Sequence, residues 1–165
     1  MYQAPTLPDP AAAGFYHELE AQLRALLTGE RNPLANAANC AALIHDLVPD
    51  LNWAGFYFVE PASGDLVVGP FIGKPACARI APGRGVCGTA LSEGRTLLVA
   101  DVHAFPGHIA CDAASRSELV VPLWRDGRVF GVLDLDSPTP GRFTEADRAG
   151  FEALAAALVE ASDAF

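Results

Sequence analysis

The stretch Ser117–Asp136 constrains this chain most, because it reads as a β-hairpin at almost every position. Two runs rich in β-branched and large apolar residues, Ser117–Trp124 and Arg128–Asp136, flank Arg125-Asp126-Gly127. The turn sets the register, and the register decides which side chains share a face. A two-residue Asp126-Gly127 loop would pair Glu118 with Leu135. A three-residue loop with Gly127 left-handed would pair Glu118 with Asp134, and this is the expected arrangement. It places Glu118, Asp134 and Asp136 on one face, since side chains two apart in a strand point the same way. Leu119, Val121, Leu133 and Leu135 then fill the opposite face, to be covered by helices.

Such an acidic face has two readings. LDLD closing a strand is also what a strand emerging into water looks like. If the three carboxyls do share a site, they repel, and at least one should hold its proton more tightly than a free acid. Such a group can donate a proton near neutral pH, and an acidic cluster can hold an ammonium group.

The rest of the chain supplies the helices. Phe15, Leu19, Leu23, Leu26 and Leu27 form one stripe in a helix expected over about Ala11–Leu27, after a proline-rich arm at residues 1–10. Asn32-Pro33 starts a second helix, which Pro49 closes, and Cys40 lies inside it as a small apolar residue. Asn52–Glu60 is an aromatic strand and Leu66–Phe71 its hairpin partner. Ala76–Ile80 and Thr96–Ala100 are further strands around a short helix at Val86–Glu93. Thr144 caps a last helix over Glu145–Ala161. Hairpin-linked strands with helices at both ends of the sequence predict an α+β domain with an antiparallel sheet, one domain over residues 1–165.

The bulk numbers exclude several roles. A net charge of −9 with scattered Lys and Arg argues against a nucleic-acid groove. The densest basic neighbourhood is Lys74, Arg79 and Arg84, around Cys77. No apolar run approaches the roughly 20 residues of a membrane span, and the start MYQAPTLPDP shows no secretory pattern. The expected location is the cytoplasm, where four cysteines stay reduced unless they cycle.

Val86–Glu118 is where that cysteine question concentrates. It carries Cys87, Cys111, His103 and His108, with Cys77 just upstream, and Asp101–Ser115 lacks helix or strand periodicity. Each cysteine can be inert core. Three thiolates with His103 or His108 make a zinc set by count, but nine and then twenty-three intervening residues are not the paired spacing of structural zinc sites. The third reading is thiol redox. Cys77 lies among Lys74 and Arg79, and Cys87 begins a helix after Arg84; both settings favour thiolate. Cys111 sits in the polar loop, beside His108 and Asp112.

NWAGFYF, VGPFIGKPACARIAPGRGVCGTA, DVHAFPGHIACDAASRSELVVPL and DGRVFGVLDLDSP together resemble the free methionine-(R)-sulfoxide reductases, a family of GAF-domain proteins. The resemblance covers roughly Asn52–Pro138 and fills all three cysteine positions. It implies a GAF-like central antiparallel sheet of five to six strands with the N- and C-terminal helices packed on one face. It implies that Cys111 attacks the sulfoxide sulfur and becomes a sulfenic acid, that Cys77 resolves it as a Cys77–Cys111 disulfide, and that Cys87 is a secondary thiol. Thioredoxin would restore the thiols, with no cofactor and no metal. Glu118, Asp134 and Asp136 match the acids that protonate the sulfoxide oxygen and hold the substrate amine, and Trp53 and Tyr57 match an aromatic pair around the methyl group. Trp53 and Tyr57 are four apart on one strand face, which core packing would also allow. The substrate carboxylate is expected on backbone N–H groups of Gly107–Cys111. By analogy with the fold, the terminal helices are a candidate homodimer surface. The rival is a GAF module that binds a small ligand without turnover.

Overall fold

The computed structural model describes residues 7, 9, 12, 14–107 and 112–164. Cys111 and His108 lie outside the described residues, as does most of the expected N-terminal arm.

Among the described residues six strands form a single antiparallel sheet: β1 Trp53–Val59, β2 Leu66–Gly73, β3 Arg79–Ile80, β4 Leu97–Val99, β5 Ser117–Arg125 and β6 Arg128–Ser137, in the order β3-β2-β1-β6-β5-β4. Four α-helices among the described residues accompany it: α1 Phe15–Leu27, α2 Pro33–Leu47, α3 Gly85–Glu93 and α4 Glu145–Ala161. The helix starts follow their caps. Asn32 accepts from the N–H groups of Leu34 and Ala35 at 3.0 and 3.1 Å, with Pro33 in the first turn of α2. Thr144 and Asp147 form a reciprocal capping box on α4. The start of α1 differs from expectation. It begins at Phe15, after Gly14 at φ 102, a left-handed conformation that interrupts any earlier helix. Expected strands at Ala76–Ile80 and Thr96–Ala100 shorten to β3 and β4.

The sheet separates two cores. On one face α1, α2 and α4 bury Leu19, Leu23, Ile44, Phe151 and Leu158 against Phe56, Leu119, Val121, Leu133 and Leu135. On the other, α3 and the segment after β4 bury Val86, Cys87, Ala90 and Val102 against Trp53, Tyr57, Val120 and Val132. This is the expected GAF arrangement, with the terminal helices on one side. It leaves the opposite side, under α3, for a pocket.

The hairpin loop corrects the expected register. Asp126 and Gly127 are both left-handed, at φ 50 and 74, and Arg125 pairs directly with Arg128, so the turn has two residues. Continued unbroken, that register would set Glu118 opposite Leu135 and mix the two faces. A β-bulge prevents it. Leu123 pairs with Gly131 and Trp124 with Val129, so Phe130 is the extra residue. Phe130 stacks at 6.4 Å on Phe58 and carries the Arg125 guanidinium 5.2 Å from its ring centroid. Beyond the bulge, Glu118 pairs with Asp136, Val120 with Asp134, and Leu119 with Leu135. The expected partner of Glu118 was Asp134, two residues away, so the facing of all three acids is unchanged.

Candidate active site

The three central strands build the floor of the pocket row by row. Trp53 pairs with Asp136, and Asp136 with Glu118; in the next row Gly55 pairs with Asp134, and Asp134 with Val120. Paired residues point to the same side of a sheet, so the two aromatics of β1 and the three acids of β5 and β6 converge. Trp53 stacks on Tyr57 at 5.9 Å and on Phe71 at 5.1 Å, and its indole N–H donates to the Lys74 carbonyl at 3.1 Å. Gly55 makes room for this stack. A Cβ there would overlap Phe71 Cβ and stand 2.8 Å from Trp53 Cη2.

α3 closes the pocket from above and brings Cys87 to the acids. The Cys87 thiol points at Glu118 Oε1, 3.8 Å away. Cys87 Sγ and one oxygen each of Glu118 and Asp134 lie within 4.8 Å of one another. All three residues are buried. This is also the donor set among the described residues that could hold a metal ion, and neither Cys77 nor His103 belongs to it. Glu118, Asp134, Asp136, Trp53, Tyr57 and Cys87 thus line one cavity, together with Lys74, Arg84, Asp112 and Ser115.

Burial decides how these groups hold protons. Removal from water pushes the Asp134 carboxyl up to about 6. Burial, and then repulsion from Asp134 and Asp136, lifts Glu118 well above the usual carboxylate range. Asp136 rises for the same reasons, burial first and the charge of Asp134 next. All three acids thus resist ionisation, Glu118 and Asp136 against the charge of Asp134 as well as against burial. The upward shifts agree with the sequence expectation of at least one tightly held proton. The Tyr57 phenol is likewise pushed up, by burial and then by Asp134. One oxygen, Asp134 Oδ1, is buried with no hydrogen-bond partner among the described residues. Such an atom is costly in a folded protein unless something else satisfies it.

One expectation about thiolates does not survive. Cys87 was expected to be activated by the α3 N-terminus and Arg84. Instead burial, and then the charges of Asp134 and Glu118, hold it well above the ordinary thiol range. Cys77 is half-buried at the edge of the second core, and two of the three cations near it in sequence are paired with acids. Arg79 holds Glu60 through two bonds of 2.6 and 2.8 Å, and Lys74 Nζ meets Asp112 Oδ1 at 3.2 Å. Cys40 is buried in the helix-side core, as expected, with its thiol pushed up to about 12 by burial.

The sequence reading missed a polar brace. Asn52 Nδ2 donates to Asp112 Oδ2 at 3.2 Å and to Ser115 Oγ at 3.0 Å, and Ser115 in turn hydrogen-bonds Asp136. Asp112 also accepts from the Ala114 N–H at 2.9 Å. The brace fixes the chain that returns from the irregular loop against the start of β1. No periodic signal could announce it, because Asn52 and Asp112 are 60 residues apart. The one local hint is a polar Asn set directly before an aromatic strand.

Known proteins fit this description. The GAF domain model matches residues 18–161. The chain is 51% identical to the free methionine-R-sulfoxide reductase of Escherichia coli over 144 residues, covering 87% of this chain and 86% of the relative. It is 43% identical over 136 residues to the enzyme of the same name from Saccharomyces cerevisiae, covering 79% of this chain and 76% of the relative. The crystal structure of the free methionine-R-sulfoxide reductase from Neisseria meningitidis, in complex with its substrate, superposes with a TM-score of 0.89 at 43% identity, covering 94% of each chain. The acid-floored pocket beneath α3 therefore sits in a chain that belongs to the GAF-domain family and, within it, to the free methionine-(R)-sulfoxide reductases.

Proposed function

We propose that this enzyme reduces free L-methionine-(R)-sulfoxide to L-methionine by thiol chemistry, with Cys111 as nucleophile. The observation that carries the reading is the buried Asp134 Oδ1, without a hydrogen-bond partner among the described residues, beside two carboxyls that burial and neighbouring charge hold above the usual range. A free amino acid supplies an ammonium group for Asp134. The sulfoxide oxygen takes a hydrogen bond and then a proton from Glu118 or Asp136, which burial and repulsion make hold their protons more tightly than free acids do. Trp53 and Tyr57 enclose the methyl group.

Cys111 attacks the sulfoxide sulfur. Sulfur is reduced by two electrons and leaves as the thioether of methionine; Cys111 keeps the oxygen as a sulfenic acid. The Cys77 thiol displaces it as water and forms the Cys77–Cys111 disulfide. Thioredoxin, a dithiol, reduces that disulfide and becomes oxidised. Cys87 is the secondary thiol. Protonated and enclosed against Glu118, it is a poor first resolver. In this reading residues 1–165 work as one domain in the cytoplasm, repairing oxidised free methionine, with the terminal helices as a homodimer surface.

Thiol counting tests the reading. Reduced protein is mixed with each epimer of free methionine sulfoxide without reductant, and free thiols are titrated. Loss of two thiols per chain with the R epimer alone, abolished by Cys111→Ser, is the expected result. Ligand-induced stabilisation with no thiol consumed would instead assign the pocket to a binding module, and full turnover by Cys111→Ser would remove Cys111 from the chemistry.

A further inference from the structure

Three cations surround Cys77 in the sequence, and the fold disposes of them differently. Arg79 is held in a bidentate pair by Glu60. Lys74 is paired with Asp112, which Asn52 also holds. Arg84 has no acidic partner and no side-chain hydrogen bond among the described residues, yet it lines the same cavity as Glu118, Asp134 and Asp136. It is exposed, and it is the residue immediately before the first turn of α3. No side chain among the described residues caps that helix start, so the local backbone field is positive as well.

A pocket with one anionic end and one uncommitted guanidinium matches a zwitterion. We infer that Arg84 binds the α-carboxylate of the substrate and so helps restrict the enzyme to free methionine sulfoxide. The inference rests on the proposed reaction, whose ammonium end Asp134 takes. The expected backbone N–H groups of Gly107–Cys111 fall largely outside the described residues, whereas Arg84 offers a forked, permanently charged donor suited to a carboxylate. An oxidised methionine inside a polypeptide, or one amidated at its C-terminus, has no carboxylate to offer and leaves the guanidinium unanswered.

The test compares two substrates on three proteins. The substrates are free L-methionine-(R)-sulfoxide and its C-terminal amide. The proteins are the wild type, Arg84→Gln and Arg84→Lys, all reduced by the same dithiol and checked for equal thermal unfolding. A charge-assisted bond of this kind predicts about a ten- to hundred-fold fall in kcat/KM for the free acid in Arg84→Gln, carried mainly by KM. The amide's kcat/KM should stay as in the wild type, and Arg84→Lys should recover part of the acid's advantage. Equal losses for acid and amide, or none for the acid, would overturn the assignment to Arg84. If the wild type itself fails to reduce the free acid, the proposed reaction is what falls, and the role of Arg84 falls with it.

Discussion

Replacing Asp134 with Asn should change how stability depends on pH by an amount the fold already fixes. Asp134 is 6% exposed, and burial lifts its carboxyl from 3.8 to about 6. Between roughly pH 4 and 6 the folded chain still holds a proton that the unfolded chain has released. Unfolding in that window therefore releases a proton, and stability contributed by this group falls as pH rises. The cost is absent below the unfolded value and complete above the folded one. About two units at 1.36 kcal/mol each give about 3 kcal/mol. Asn keeps the shape and cannot ionise. The stability of Asp134→Asn relative to wild type should thus climb by about 3 kcal/mol from pH 4 to pH 7. Carboxylates elsewhere act in the opposite sense, Glu60 being held down by Arg79 and Asp147 by Thr144, Tyr16 and Arg142 against its own burial. They occur in both proteins and cancel in the difference, whereas Glu118 and Asp136 lose the repulsion of Asp134 in the variant, which adds to the climb. Urea unfolding followed by tryptophan fluorescence at each pH measures it. A difference that stays flat, or that falls with pH, would refute the claim that Asp134 ionises at a cost inside the fold.

Three further outcomes are expected. Glu118→Gln preserves the side-chain shape but removes a transferable proton, and should lower kcat by about 10²- to 10³-fold with the fold retained; steady-state assay against the R epimer checks this, and activity within twofold of wild type would exclude Glu118 as the donor. Gly55→Ala forces a methyl into Phe71 and the Trp53 ring and should cost about 2–3 kcal/mol, read as a shift in the urea midpoint at unchanged slope. Cys40, fully buried and with its thiol pushed up to about 12, should resist alkylation in the native protein and react only at the rate of unfolding; mass spectrometry after timed iodoacetamide treatment distinguishes it from the other thiols.

Most of the fold was legible because local chemistry agrees with it. Asn32-Pro33, Thr144 and the apolar stripes mark α2, α4 and α1 within a few residues, and Asp126-Gly127 marks the hairpin. Where the reading slipped, long-range packing had the deciding word. The bulge at Phe130 answers to Phe58 on β1, a partner no window on the hairpin contains. The thiolate expected at Cys87 followed from a helix start and a neighbouring Arg. It failed because the helix turns that residue inward onto two acids, and burial with anions outweighs a partial backbone charge. The Asn52 brace was invisible for the same reason, as its bonds join segments far apart in the chain.

The bulge also explains why the acid cluster was predicted correctly from a wrong pairing. The expected three-residue turn and the observed two-residue turn with one bulged residue differ in register by an even number of positions. Side-chain facing in a strand has period two, so only the parity of the register matters for which residues meet. An odd error would have sent Glu118 into the helix-side core opposite Leu135, at the full cost of an unpaired buried carboxyl. Deleting Phe130 creates that odd register. Either Glu118 would then enter the helix-side core while Leu119 and Val121 leave it, or Asp134 and Asp136 would enter while Leu133 and Leu135 leave it. The extra residue in β6 is therefore what allows a short, rigid turn and an acidic pocket to coexist on the same hairpin.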